Sequence, residues 1–111
     1  MPESRDIYLV RIYYKGQSGT FKSRPVLILN TFSNGWVTIA EITSVPPRQP
    51  PSYYDKYKEP IVKWTRYGLT EPSFLKCKNI HNIKESRLSC KIGTFDEDEF
   101  INIIDKINSY N

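Results

Sequence analysis

Cysteine, histidine, methionine and glycine are all scarce in this chain of 111 residues, at two, one, one and five. Cys77 and Cys90 stand far apart and form neither a paired metal motif nor a redox CxxC. His81 is the single histidine, which excludes a His-rich metal site, and neither metal nor any other cofactor is expected. Both thiols are expected to be buried and reduced, as in a cytoplasmic protein. No stretch approaches the roughly 20 apolar residues of a membrane helix. The start, Met1-Pro2-Glu3-Ser4-Arg5-Asp6, lacks the apolar run of a signal peptide, so the expected location is the cytoplasm, away from membranes. Gly16 and Gly19 precede no helical pattern, so a phosphate-cradling loop is excluded. No nucleophile elbow or HExxH occurs either. A Cys–His pair using Cys77 or Cys90 with His81 can be written down, but a cysteine in an apolar strand is more often core.

Hydrophobic residues make up 39% and charged residues 25%, the balance of a single soluble domain spanning 1–111. The net charge of +4 conceals a split: residues 1–94 carry fifteen cations against seven anions, or +8, and residues 95–111 carry −4. A basic body fits an anionic partner such as nucleic acid, and fits mere solubility equally well.

Along the chain, β-branched and aromatic residues 7–14 predict a first strand. Residues 15–23 predict a loop. Arg24-Pro25 then opens Val26-Leu27-Ile28-Leu29, an apolar run that suits a strand buried on both faces. Pro25 is placed at its start, where a missing N–H matters least. Asn34-Gly35 predicts a hairpin into a third strand, 36–42, ended by Thr43-Ser44, with both turn residues able to adopt positive φ. Residues 45–60 hold five prolines with three tyrosines and three cations, which predicts a long excursion lacking helix and ladder. Further strands are expected at 61–64, 73–78 and 90–93, with a short helical turn near 84–86. Phe100, Ile103, Ile104 and Ile107 recur at helical spacing, giving an amphipathic C-terminal helix. Asp96 with Glu99 has capping-box spacing, and Phe95 with Phe100 that of a hydrophobic staple. Acidic residues also suit the positive end of the helix dipole, which gives the −4 segment a structural explanation. The expected fold is mainly β, a small antiparallel barrel with the helix packed on it.

Two sets of residues bear chemistry. The hairpin brings Arg24, at the start of one strand, beside Thr43, at the end of its partner. A guanidinium and a hydroxyl at one sheet edge can hold a phosphate, with Ser44 adjacent. By pattern alone, an ordinary exposed Arg and a turn-forming Thr are the more frequent reading. In the second set, Tyr53, Tyr54 and Tyr57 lie among Arg48, Lys56 and Lys58, a mixture that stacks bases and tracks phosphates of single-stranded nucleic acid. Tyrosines packing back on the barrel explain it equally well.

Taken in order, these segments resemble the MazF/PemK (Kid) family of toxin–antitoxin ribonucleases. The likeness rests on Asp6-Ile7-Tyr8, the loop running into Arg24-Pro25-Val26-Leu27-Ile28, Ala40-Glu41-Ile42-Thr43-Ser44, Ser86-Arg87-Leu88, Lys91-Ile92-Gly93 and Phe95-Asp96. The resemblance implies a small SH3-like barrel of the MazF/PemK/CcdB type, a homodimer, and a cognate antitoxin with an acidic segment. It implies metal-independent, sequence-selective cleavage of single-stranded RNA, in which the RNA's 2′-hydroxyl attacks the adjacent phosphate to leave a cyclic phosphate. Arg24 and Thr43 occupy the positions of the family's usual active-site pair. One branch of the family has Arg-Cys-Asp-Gln where this chain has Lys76-Cys77-Lys78-Asn79, so no Asp base carries over. Lys76, Lys78 and His81 remain as candidates for catalysis or RNA binding, and Asn79 for RNA binding. The departures keep a second reading open, a non-cleaving module that binds nucleic acid or protein on the same barrel. Inhibition of a large enzyme such as gyrase by a related barrel is the less favoured third.

Overall fold

The computed structural model describes residues 1–13, 21–53 and 55–110. Tyr14, the expected loop's Gly16 and Gly19, and Tyr54 lie outside the described residues. Six strands form one antiparallel sheet: β1 (Asp6–Tyr13), β2 (Phe21–Thr31), β3 (Trp36–Thr43), β4 (Lys58–Pro60), β5 (Phe74–Lys84) and β6 (Leu88–Thr94). Their spatial order is β4-β5-β3-β2-β1-β6, so the sheet curls like a barrel without closing. Among the described residues one α-helix, α1 (Glu97–Tyr110), completes the fold, and it is too short to cross a membrane.

The apolar run of β2 is buried on both faces, as its lack of alternation predicts. Leu27 belongs to a core beneath α1 with Ile7, Ala40, Ile42, Leu75, Cys77, Phe95, Ile103 and Ile107. Its neighbours Val26 and Ile28 point the other way, into a second core with Val10, Val37, Ile39 and Ile83. Period-two alternation in β3 sorts its residues the same way, with Ala40 and Ile42 on the helix side and Val37 and Ile39 opposite.

Several expectations need correction. Pro25 is not at the start of its strand, since β2 begins at Phe21 and Pro25 pairs with Leu9 of β1. Pairing with β3 begins only at Val26, so at Pro25 the strand is open on one side, where an N–H can be dispensed with. The hairpin at Asn34-Gly35 exists, but its connection is longer than two residues and only Gly35 has positive φ. Phe32 accepts from the Gly35 N–H and donates to the Trp36 carbonyl, and the Asn34 side chain accepts from the Trp36 N–H. Residues 45–60 are not free of regular structure: a 3₁₀ turn at Asp55–Tyr57 leads into β4. Pro60 is tolerated there because β4 is an edge strand. Residues 61–64 form no strand, and a 3₁₀ turn follows at Trp64–Tyr67, closed by Gly68 in the left-handed region. Cys77 is buried, and that burial pushes its thiol up to about 12, whereas Cys90 is exposed.

The helix start also differs from the capping-box expectation. Glu99 is buried but does not turn back onto Asp96. Its carboxylate accepts from the N–H of Val62 at 2.6 Å, the N–H of Lys63 at 3.2 Å and the Tyr67 hydroxyl at 2.7 Å. The Tyr67 hydroxyl in turn accepts from the Asp96 N–H. Burial and the neighbouring Glu99 carboxylate both push the Tyr67 phenol far up, so it stays a donor. The Tyr67 ring stacks on Phe95, with centroids 4.5 Å apart. Gly93 and Gly68 allow the two segments to meet, because a Cβ on either would collide with backbone of the other segment, Tyr67 and Ile92 respectively. Replacing Glu99 by alanine strands two backbone donors and a phenol. The variant should lose about 3 kcal/mol in urea unfolding monitored by circular dichroism, with Glu99→Gln losing less.

Candidate functional site

Arg24, Thr43 and His81 fall on the sheet face away from α1, and Arg48, Tyr53, Lys56 and Tyr57 on the segment between β3 and β4. Arg24 precedes Val26 on the face that carries Val26 and Ile28, and Thr43 follows Ile39 and Glu41 on the same face of β3. Ladder pairing stops at Val26 with Glu41, and continuing that register sets Arg24 opposite Thr43. Both line one cleft of about 320 Å³, together with Lys22, Ser44, Thr70 and Glu71. Thr43 is buried, and its hydroxyl oxygen accepts from the Val45 N–H at 3.1 Å, which leaves the hydroxyl proton available to donate. The Arg24 guanidinium has no ion-pair partner among the described residues.

Arg24 also lines a second cleft, of about 400 Å³, with Glu41, His81, Asn82 and Arg87 over an apolar floor that includes Val10, Val26 and Ile39. A bulge in β5 builds its polar side. Ala40 pairs with Ile80 but Ile42 pairs with Leu75, so residues 76–79 stand against Glu41 alone. Glu41 is the only charged residue of β3. It accepts from the Asn79 side-chain amide at 3.3 Å and meets His81 Nε2 at 2.7 Å. Desolvation would raise the Glu41 carboxyl, but hydrogen bonds from His81 and Asn79 and the nearby Lys76 outweigh it and hold it below its ordinary value.

The tyrosine-rich loop combines both readings the sequence left open. Tyr57 packs edge-on against Tyr110 of α1 at 5.2 Å, so it belongs to the body. Tyr53 meets Tyr57 edge-on at 5.8 Å and remains 65% exposed. Lys56 lies over both rings, and Lys78 over Tyr57. Arg48 is exposed. Lys58 is occupied structurally, pairing with Asp55 at 3.1 Å and donating to the Val45 carbonyl. Asn79 is likewise held by Glu41.

Glu41, Glu71, Arg87, Lys22 and Asp55 were not assigned roles from sequence. A lone charge in the otherwise apolar and hydroxylic β3 was the available signal for Glu41. Asp55 gave no signal beyond sitting among prolines. It accepts from the N–H groups of Arg48 and Ser52 and from the Ser52 hydroxyl, and these bonds hold its carboxyl well below the usual range. A depressed folded-state pKa contributes stability above the unfolded value near 4 and loses it as pH falls further. Asp55→Asn should therefore open the loop at neutral pH. Limited proteolysis should show faster trypsin cleavage after Arg48 and Lys56 in the variant, and the wild type should approach that accessibility, read with an acid-active protease, only below about pH 4.

The model for the PemK-like, MazF-like toxin of type II toxin–antitoxin systems matches residues 3–110. Among solved structures, the Mycobacterium tuberculosis toxin MazF-mt6 is 24% identical over 95% of this chain and 94% of its own, with a TM-score of 0.67. A MazE–MazF crystal structure (Form-II) from Deinococcus radiodurans contains a chain 12% identical, covering 98% and 94%, with a TM-score of 0.73. An endoribonuclease in complex with its cognate antitoxin, from Mycobacterial species, is 14% identical over 98% and 90%, with a TM-score of 0.65. At these identities the structural likeness speaks for the fold, a mainly β, barrel-like sheet with a C-terminal helix. No curated protein matches the chain.

Proposed function

The chain belongs to the PemK-like, MazF-like toxin family of type II toxin–antitoxin systems, and from that premise we propose that it is an endoribonuclease acting on single-stranded RNA. The observation that carries this reading is the meeting of Arg24 and Thr43 in one cleft, the guanidinium without an ion-pair partner among the described residues and the hydroxyl with its proton available to donate. In the proposed reaction the RNA's own 2′-hydroxyl attacks the adjacent phosphate, which calls for no metal. Arg24 holds the nonbridging oxygens and stabilises the charge that builds on them. Thr43 donates to one of the same oxygens, and Ser44 lies beside it at the cleft wall. Tyr53 with Lys56 and Arg48 offers a stacking and phosphate-tracking surface for flanking nucleotides. By the same reading the chain acts in the cytoplasm as a homodimer, and a cognate acidic antitoxin competes with RNA for these cations.

Binding without cleavage is the competing reading. It is favoured by Lys78, which stands where one branch of the family carries a carboxylate and which lies over the Tyr57 ring.

Purified protein incubated with a long RNA in EDTA should give discrete fragments with 5′-hydroxyl ends. Arg24→Ala should lower the rate by about 10³-fold and Thr43→Val by about 10²-fold, each with an unchanged unfolding midpoint. RNA bound but left intact by the wild type points instead to the binding module.

A further inference from the structure

Outside the Arg24–Thr43 cleft, His81 and Glu41 form the one His–carboxylate contact among the described residues, and they do so in the second cleft that Arg24 also lines. His81 Nε2 lies 2.7 Å from Glu41 Oε2. An ionised Glu41 can only accept, so Nε2 carries a proton, and in the neutral ring Nδ1 presents its lone pair. Nδ1 has no hydrogen-bond partner among the described residues, and the ring is half exposed at the cleft. Glu41 is fixed in turn by Asn79 from the β5 bulge, with Lys76 close by. An imidazole gripped through one nitrogen and open at the other is the arrangement of an oriented general base.

We propose that His81 is the proton acceptor for the RNA 2′-hydroxyl and that Glu41 is its positioning residue. The proposal rests on the ribonuclease reading above. Arg24 lines both clefts, with Thr43 in one and His81 in the other, so a phosphate held by its guanidinium would be approached from both sides. The 2′-oxygen bonds to phosphorus while its proton passes to His81 Nδ1. The P–O5′ bond breaks, and the departing 5′-oxygen takes a proton from water. Glu41 neutralises the imidazolium that forms, which then returns its proton to solvent. Among the described residues, the other charged groups at the ring's cleft are Arg24 from β2 and Arg87 from the turn before β6, and Lys76 from β5 acts on Glu41 itself. All three are cationic, so Glu41 supplies the negative charge the imidazolium needs.

The test is single-turnover cleavage of a single-stranded RNA by the full chain, in EDTA, from pH 5 to 8.5. Wild type, H81A, H81N and E41Q are compared, and binding to a 2′-deoxy version of the same strand is measured in parallel. The wild-type rate should climb with pH along a single-proton acid limb. H81A and H81N should both lose about 10²-fold or more at neutral pH and lose the limb, with binding and unfolding midpoint unchanged. E41Q should keep the limb, shifted to lower pH, with a rate reduced about 10-fold. An H81A variant with the wild-type rate and limb overturns the role of His81 while leaving the ribonuclease reading intact. An E41Q profile identical to wild type overturns the role of Glu41. A wild type that binds RNA and cuts none overturns the ribonuclease reading, and this role with it.

Discussion

Both faces of the central strands are apolar, and most of the molecule follows from having to cover them. Leu27, Ala40 and Ile42 need a partner on one side, and Val26, Ile28, Val37 and Ile39 need one on the other. The fourteen-residue helix α1 can shield only one face. The other is covered by the sheet curling on itself, so that Val10 of β1 and Ile83 of β5 reach the same cluster. Curling leaves a rim where the strands run out of apolar residues. Arg24, Glu41, Thr43 and His81 occupy that rim, beyond Val26 and Ile39 on the same face. The polar groups are thus set on a rigid apolar floor, which fixes their spacing before any ligand arrives.

Holding the helix in place is the task of the junction around Glu99. The segment after β4 has donors at Val62 and Lys63 that no strand satisfies, and the Glu99 carboxylate takes both. Tyr67 links this carboxylate to the helix start and stacks on Phe95. The acidic turn therefore does more than complement a dipole. Asp96 and Asp98 hold Lys63, and Asp96 also holds Arg66 at 2.7 Å.

Patterns of period two and 3.6 were readable from the chain. β1, β3, the helix with its Ile103 and Ile107 face, and the doubly buried β2 all follow from local spacing. The 3₁₀ turn at Glu85–Arg87 falls within a residue of the short helical turn expected near 84–86. What escaped notice depends on partners remote in sequence. Lys58–Pro60 forms a strand because β5 offers an open edge, which nothing in a proline-rich segment announces. Glu99 has capping-box spacing, yet donors 36 and 37 residues away outcompete its own helix terminus. The Arg24–Thr43 proximity was legible because a hairpin fixes register locally. The Glu41–His81 contact was not, since it spans forty residues and depends on how many residues the β5 bulge absorbs.

The charge split sharpens once each cation is placed. Lys58, Lys63, Arg66 and Lys91 are paired with Asp55, Asp96, Asp98 and Asp6, so they add little to the field around the molecule. Asp96 and Asp98 at the helix start are consumed in the same way. Lys22, Arg24, Lys76, Lys78 and Arg87 form no ion pair among the described residues. Lys22, Arg24 and Arg87 line the two clefts, while Lys78 is at Tyr57 and Lys76 acts on Glu41. A net charge averaged over the chain understates such a local potential, because pairing removes cations elsewhere and leaves them here. Low-dielectric walls on the apolar floor concentrate the field further. An extended polyanion crossing the rim would therefore meet unpaired cations on either side of Arg24, which lines both clefts.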